Sequence, residues 1–138
     1  MKRCLLFSLI GLSLIACNES KKEESFDKKT YEVVKETLEE KEKKNPIRFI
    51  AANNRDRKNI IGQTVVIVNL TNNATIATYK DIALKLSFFS KTSVKLDEGN
   101  ETVYETLKPG QTIKFKTKYF APKGTDSVAV KVIGAKAD

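Results

Sequence analysis

The chain has 138 residues, with 25 Lys or Arg against 17 Asp or Glu, for a net charge of +8 at neutral pH. It contains no histidine and no tryptophan, and its two cysteines are Cys4 and Cys17. The missing histidine removes the commonest general base, the Ser-His and Cys-His nucleophile pairs and the usual transition-metal ligand, so no catalytic residue, metal or other cofactor is expected and the chain reads as a non-enzyme.

Residues 1–16 open with Lys2 and Arg3 and continue as an apolar run from Cys4 to Ala16, too short to span a bilayer stably. The run ends in Leu14-Ile15-Ala16-Cys17, which resembles the lipobox of bacterial lipoprotein signal peptides. The resemblance implies cleavage between Ala16 and Cys17, a diacylglyceryl group on the Cys17 thiol and a helix through Leu5–Ile15 that the mature protein lacks. An ordinary secretory signal with a chance cysteine is the alternative. Cleavage removes Cys4, so neither a disulfide nor a free thiolate remains. About 122 residues are left, enough for one core. Residues 17–25 follow as the lipidated cysteine and a polar stretch that cannot offset its own ordering entropy, a flexible tether. Within it Glu19, Lys22, Glu23 and Glu24 resemble the acidic, lysine-led signals of surface-exposed outer-membrane lipoproteins, and a plain solvated tether is the other reading. The expected location is the bacterial cell envelope, lipid-anchored, at the outer membrane and its surface.

Residues 26–45 change to a helical period. Tyr31, Val34 and Leu38 recur at spacings of three and four, the opposite face is Glu and Lys, and Asn45-Pro46 stops the helix. The stripe is narrow, so this amphipathic helix lies on something or stands alone weakly.

Beyond Pro46 the period becomes two. Thr64, Val66, Val68 and Leu70 form one inward row, on a strand also apolar outward through Val65 and Ile67. Ile82, Leu84, Leu86 and Phe88 form a second, Ile113, Phe115, Thr117 and Tyr119 a third, and Val128, Val130 and Val132 a fourth. Shorter strands are expected at Ile47–Ala52 and Glu101–Leu107. Lys108-Pro109-Gly110-Gln111 suits a type II turn, Thr71-Asn72-Asn73 a tight polar loop, and Ala121–Thr125 the break between the last two strands. Short strands at this spacing, with turns between them, indicate a sandwich or small barrel.

The segment Asn72–Asp81, Ile82–Phe89 and Tyr104-Glu105-Thr106-Leu107-Lys108-Pro109-Gly110 resembles small exported immunoglobulin-like domains of the FxLYD type. The likeness covers about residues 60 to 134, and Val68 stands where many such domains have glycine. It implies a mainly β, immunoglobulin-like β-sandwich over residues 46–138 and an envelope location. It implies no catalytic site and carries over no functional residues.

Charge is uneven. Residues 46–138 hold fifteen basic and eight acidic side chains, a net of +7. Lys114, Lys116 and Lys118 project from one strand face, placed either to meet lipid phosphates and acidic glycans or to keep the strand soluble and block edge pairing. Asp97, Glu98, Asn100 and Glu101 around Gly99 offer oxygen ligands of the kind calcium takes, but the spacing fits no EF-hand, and an acidic hairpin loop is expected there. Tyr79, Phe88, Phe89, Tyr104, Tyr119 and Phe120 form either an exposed aromatic platform or, for Phe88 and Tyr119, core. Asp126-Ser127-Val128 looks like a short bacterial O-glycosylation acceptor. Asn69-Leu70-Thr71, Asn73-Ala74-Thr75 and Asn100-Glu101-Thr102 fit the N-glycan acceptor pattern, which an envelope lipoprotein seldom meets.

The expected partners are the membrane through the lipid anchor, an envelope protein or an acidic glycan, and no nucleic acid; nothing in the sequence sets an oligomeric state. The leading reading is a non-catalytic binding or structural module, and the alternative is an accessory subunit that docks an envelope assembly through its helix or a strand edge. Because the anchor depends on one sulfur, Cys17→Ser should move the protein from the membrane pellet to the soluble fraction on cell fractionation. Unchanged membrane retention of that variant contradicts the lipoprotein reading.

Overall fold

A computed structural model describes residues 23–138. The expected signal peptide, Cys17 and residues 18–22 of the tether lie outside the described residues. In chain order the elements are helices α1 (Glu23–Lys44) and α2 (Pro46–Phe49), then strands β1 (Ile50–Lys58), β2 (Thr64–Asn72), β3 (Tyr79–Ser90), β4 (Lys95–Val103), β5 (Thr112–Tyr119) and β6 (Thr125–Ala137). Residues 23–25, read from composition as the end of the tether, are the first of α1. The helix stops as the sequence requires: Asn45 N donates to Lys41 O at 3.2 Å, and Pro46, which has no N–H to give, opens the single turn of α2.

The strands form two antiparallel three-stranded sheets, ordered β1-β2-β5 and β4-β3-β6. Each sheet puts an apolar strand at its centre, β2 or β3, and its more polar strands at the edges. The two inner faces meet in one core. Val66, Val68 and Leu70 of β2 face Ile82, Leu84, Leu86 and Phe88 of β3, with Ile113, Val128 and Val132 beside them, all buried, and Phe115, Tyr119 and Val130 packed against their margin. The four alternating rows expected from sequence are these, in the expected register. Phe88 and Tyr119 meet edge to face, ring centroids 5.5 Å apart.

Polar stitches close both flanks of the sandwich. On one, Asn54 Nδ2 of β1 donates to Val128 O of β6 at 2.6 Å. On the other, Glu101 Oε1 of β4 accepts from the Tyr119 hydroxyl and from Thr117 Oγ1 of β5. Burial and then the Glu101 carboxylate push the Tyr119 hydroxyl up to about 12, so it stays a donor across the physiological range.

Three local expectations are corrected. The short strand expected at Ile47–Ala52 is instead α2 followed by a strand that runs on through Asn53-Asn54-Arg55-Asp56-Arg57-Lys58. The strand expected at Glu101–Leu107 is displaced toward the N-terminus, so Asp97, Glu98, Asn100 and Glu101 sit within β4, and the acidic hairpin loop does not exist. Two of the three carboxylates are engaged with other strands or cations: Glu98 pairs with Lys85 and Lys95, and Glu101 with Tyr119. Asn72, placed in a polar loop by its sequence, is fully buried at the end of β2. Its Nδ2 donates to Ala77 O (2.9 Å) and Leu107 O (3.0 Å), and its Oδ1 accepts from Ala74 N (2.8 Å).

Asn72 thereby joins two of the three chain crossovers between the sheets, residues 73–78 and 104–111. Tyr79 and Leu107 exchange backbone hydrogen bonds of 3.0 and 2.8 Å beside it. The Lys108–Gln111 turn is closed as expected, with Gln111 N on Lys108 O at 3.0 Å and Gly110 at φ +72°, where a side chain is strained.

Leu86 lies at the middle of β3, fully buried between Gly99 of β4 and Val130 of β6. Leu86→Ala should lower the unfolding free energy by about 2 to 4 kcal/mol through lost burial and a residual cavity. Urea titration followed by circular dichroism measures it.

Candidate functional site

Charge concentrates on the outer face of the β1-β2-β5 sheet. Side chains alternate along a strand, so once Val66, Val68 and Leu70 of β2 point inward, Val65 and Ile67 point out. The register then fixes their neighbours. Val65 lies opposite Arg57 of β1 and Lys118 of β5; Ile67 lies opposite Arg55 and Lys116; Asn69 lies opposite Asn53 and Lys114. The lysine row legible in sequence is therefore one border of a wider surface whose other border is Arg55 and Arg57. The two rows are two strand spacings apart, about 10 Å, and charges within a row recur every ~7 Å. All five cations are exposed, and among the described residues none of them makes a salt bridge.

The centre of this face is apolar. Val65 is buried between its cationic neighbours and Ile67 half-buried, leaving a shallow depression of ≈ 360 Å³ lined by Arg55, Asp56, Arg57 and Ile67. Asp56 is the acid at its rim. Among the described residues, neither a nucleophile paired with a base nor an enclosed pocket occurs on the face. What it offers is a broad, nearly flat array of positive charge, suited to an extended anionic surface more than to a small molecule. Lys114, Lys116 and Lys118 are brought together with each other and with the arginines. Tyr104 and Phe120 are exposed, Tyr79 and Phe88 are buried, and Phe89 and Tyr119 are half-buried, so the aromatics do not assemble into one platform. Among the described residues no group of three or more His, Cys, Asp or Glu is placed to hold a metal ion.

A second constellation, absent from the sequence reading, lies at the helix end of the sandwich. Glu42, in the last turn of α1, is 1 % exposed. Its carboxylate accepts from three consecutive backbone N–H groups of the β2–β3 crossover: Thr75 N at 2.7 Å, Ile76 N at 2.8 Å and Ala77 N at 2.9 Å. Its carbonyl accepts from the buried Tyr79 hydroxyl at 3.0 Å. Burial alone pushes the Glu42 carboxyl up, but the backbone donors of Thr75, Ala77 and Ile76, helped by the Thr75 side chain, outweigh burial and hold it below its ordinary value of 4.5. Burial and then the Glu42 charge push Tyr79 up to about 12. A groove of ≈ 500 Å³ runs beside this dock, lined by Tyr31, Val34, Lys35 and Leu38 of α1 and by Thr75 and Ile76. The apolar stripe of the helix thus meets the crossover only along its edge: Leu38 is half-buried, while Tyr31 and Val34 are largely exposed.

These features define a mainly β, antiparallel sandwich with a helix clamped to one end and a basic outer sheet face. No protein-family model matches the chain, so the FxLYD resemblance rests on the residues quoted for it, and no curated protein matches it. Among solved structures the chain is similar to the Salmonella enterica trimeric lipoprotein SadB, at 13 % identity over 85 % of this chain and 79 % of that one, with a TM-score of 0.49.

The depressed Glu42 pKa fixes the sign of a pH effect. A carboxylate whose folded pKa lies below its unfolded value stabilises fully above the ordinary value, and that contribution is lost as pH falls through the folded pKa. Protection of the Thr75, Ile76 and Ala77 amides, taken relative to the intrinsic exchange rate at each pH, should therefore hold above about pH 4.5 and fall below it. Glu42→Gln should weaken the dock by about 2 kcal/mol, the worth of hydrogen bonds to a charged group, and flatten this pH dependence. Exchange mass spectrometry from pH 3 to 7 reads both. A protected crossover in Glu42→Gln with unchanged pH response contradicts the assignment.

Proposed function

We propose that the protein is a non-catalytic, lipid-anchored module of the bacterial cell envelope, whose immunoglobulin-like sandwich adheres to an anionic surface through Arg55, Arg57, Lys114, Lys116 and Lys118. The observation that carries this reading is the alignment of five unpaired cations from two edge strands on one flat sheet face. Lysines on an edge strand alone serve to prevent edge-to-edge pairing. Arginines on β1 protect the opposite edge in the same way, but edge protection does not require both rows to flank an apolar strip on one face. Supporting the envelope location are the lipobox-like Leu14-Ile15-Ala16-Cys17, with Cys17 as the lipid-bearing residue, and the acidic start of the tether. The outer membrane, its outer leaflet included, is the placement those segments favour.

The shared chemistry of the counter-surface is closely spaced phosphate or carboxylate, supplied by lipid headgroups or by an acidic envelope glycan. An accessory-subunit role through α1 is the second reading, favoured by the exposed Tyr31, Val33 and Val34 along the groove. Pull-down partners lost on deleting residues 26–45 would support it.

Residues 18–138 keep every core and dock contact described above and are the material for the test. Replacing Arg55, Arg57, Lys114, Lys116 and Lys118 with glutamine should lower retention at least tenfold on anionic vesicles, on immobilised acidic polysaccharide, or on both, at low salt. A cation near an anionic surface is worth about 1 kcal/mol, and the attraction is screened as salt rises. The urea midpoint should move little, because exposed substitutions usually change stability by less than about 0.5 kcal/mol each. The arm that loses binding identifies the source of the anion. Equal retention of wild type and variant in both arms reduces the face to a solubility device.

A further inference from the structure

The end of the sandwich remote from the Glu42 dock holds large apolar side chains out in water. Strand pairing places three connections together there. Lys58 pairs with Thr64 and Thr64 with Tyr119, so the β1–β2 turn neighbours the start of the β5–β6 loop. Ser90 pairs with Thr125, which sets the β3–β4 turn beside the end of the same loop. On these connections Ile60 is 106 % exposed, Ile61 76 %, Phe120 76 % and Val94 57 %.

Turns are ordinarily built from small and polar residues, and this one is built to project its isoleucines. Asn59 Oδ1 accepts from Ile61 N at 3.0 Å and Gln63 N at 2.9 Å, and Asn59 Nδ2 donates to Gln63 Oε1 at 3.0 Å. Asn59 N donates to Gln63 O at 2.9 Å, and Gly62 takes φ +83°, a conformation that strains any residue with a side chain. The side chain of Asn59 thus spans the turn and fixes its shape, with Ile60 and Ile61 at the apex. Exposed Lys58, Lys91 and Lys123 stand around the apolar group, and Arg57 and Lys118 bring the basic sheet face up to it; Asp56 and Asp126 are the nearby acids.

We propose that this end seats in the headgroup layer of an anionic bilayer, with Ile60, Ile61 and Phe120 entering the acyl boundary and Lys58, Lys91 and Lys123 held among the phosphates. Charge complementarity selects the occupant. Apolar groups carried on separate connections and ringed by cations match a surface that is anionic outside and apolar a few ångströms beneath it, which is the profile of a bilayer interface. The inference rests on the anion-seeking reading of the sheet face, since that face supplies the attraction that delivers the turn to the surface.

The absence of tryptophan from the chain allows a site-specific test. In residues 18–138, Ile61→Trp installs a single indole at the turn. With vesicles of 70 % phosphatidylcholine and 30 % phosphatidylglycerol at low salt, its emission should shift blue by about 10 nm or more, as expected for a side chain that enters the interface, and lipids brominated high on the acyl chain should quench it. Vesicles of phosphatidylcholine alone should produce little change. The variant Ile60→Asp, Ile61→Asp, Phe120→Asp should cosediment at least tenfold less with anionic vesicles while keeping the wild-type circular dichroism spectrum and urea midpoint. Emission that stays at its solution maximum while the protein cosediments overturns insertion and leaves the sheet-face reading standing. No cosedimentation at low salt overturns insertion and the lipid arm of that reading together. An equal blue shift on both vesicle types overturns the anionic requirement.

Discussion

Three consecutive backbone N–H groups that no strand can pair, answered by one carboxylate, are the constraint on which the helix end of this protein depends. Residues 73–78 carry the chain from one sheet to the other, and a crossover of that kind leaves donors pointing away from both ladders. Glu42 supplies the acceptors from outside the sandwich, and in doing so fixes where α1 ends. Asn72 works from inside: its Oδ1 accepts from Ala74 N, and its Nδ2 donates to Leu107 O, which ties this crossover to the next one. Tyr79 belongs to both arrangements: its backbone pairs with Leu107 and its hydroxyl caps the Glu42 carbonyl. Helix position, crossover geometry and the first residue of β3 are therefore one hydrogen-bonded unit, fully satisfied, with no buried side-chain polar atom among the described residues left without a partner.

The sheets divide their labour by strand position. Central β2 and β3 supply most of the apolar burial, whereas most of the strand charges lie on the edge strands, where they discourage pairing with other chains. On the β4-β3-β6 sheet most outer-face charges are paired, as in the contacts of Glu98 with Lys85 and Lys95 and of Asp81 with Lys136, with Lys131 the exception. On the β1-β2-β5 sheet they do not cancel. Two three-stranded antiparallel sheets thus differ in their electrostatics, and the one whose cations are unpaired among the described residues holds the candidate site.

Sequence periodicity revealed the strands that bury a full apolar row and missed those that do not. Ile82-Leu84-Leu86-Phe88 and Thr64-Val66-Val68-Leu70 announce themselves by alternation. Asn53–Lys58 has no such signal: its inward position Asn54 bonds to Val128 O instead of filling the core, so the segment looks like a loop. Lys95–Glu101 failed for the same reason. The cost was half of the candidate face, since Arg55 and Arg57 have no evident relation to Lys116 and Lys118 until β1 is known to pair with β2. Glu42 was hidden differently. It lies among Glu36, Glu39 and Glu40 in a Glu/Lys-rich helix, and only the crossover chosen by the distant β2 and β3 singles it out. Asn72 was visible as a turn residue, and its burial followed from long-range packing that local composition does not encode.

The docking of α1 by a single carboxylate and a single hydroxyl also has a mechanical consequence. Any pull on the chain ahead of the helix reaches the sandwich at Glu42 before it reaches a strand, so load is borne first by a few short-range hydrogen bonds that rupture with little extension. Once they part, α1 becomes added length between the point of pulling and Ile50, while the β-core, whose bonds lie behind the break, is still unloaded. The clamp acts as a fuse, sparing the sheet faces and turns during brief tension and re-forming when the Glu42 carboxylate finds its three donors again.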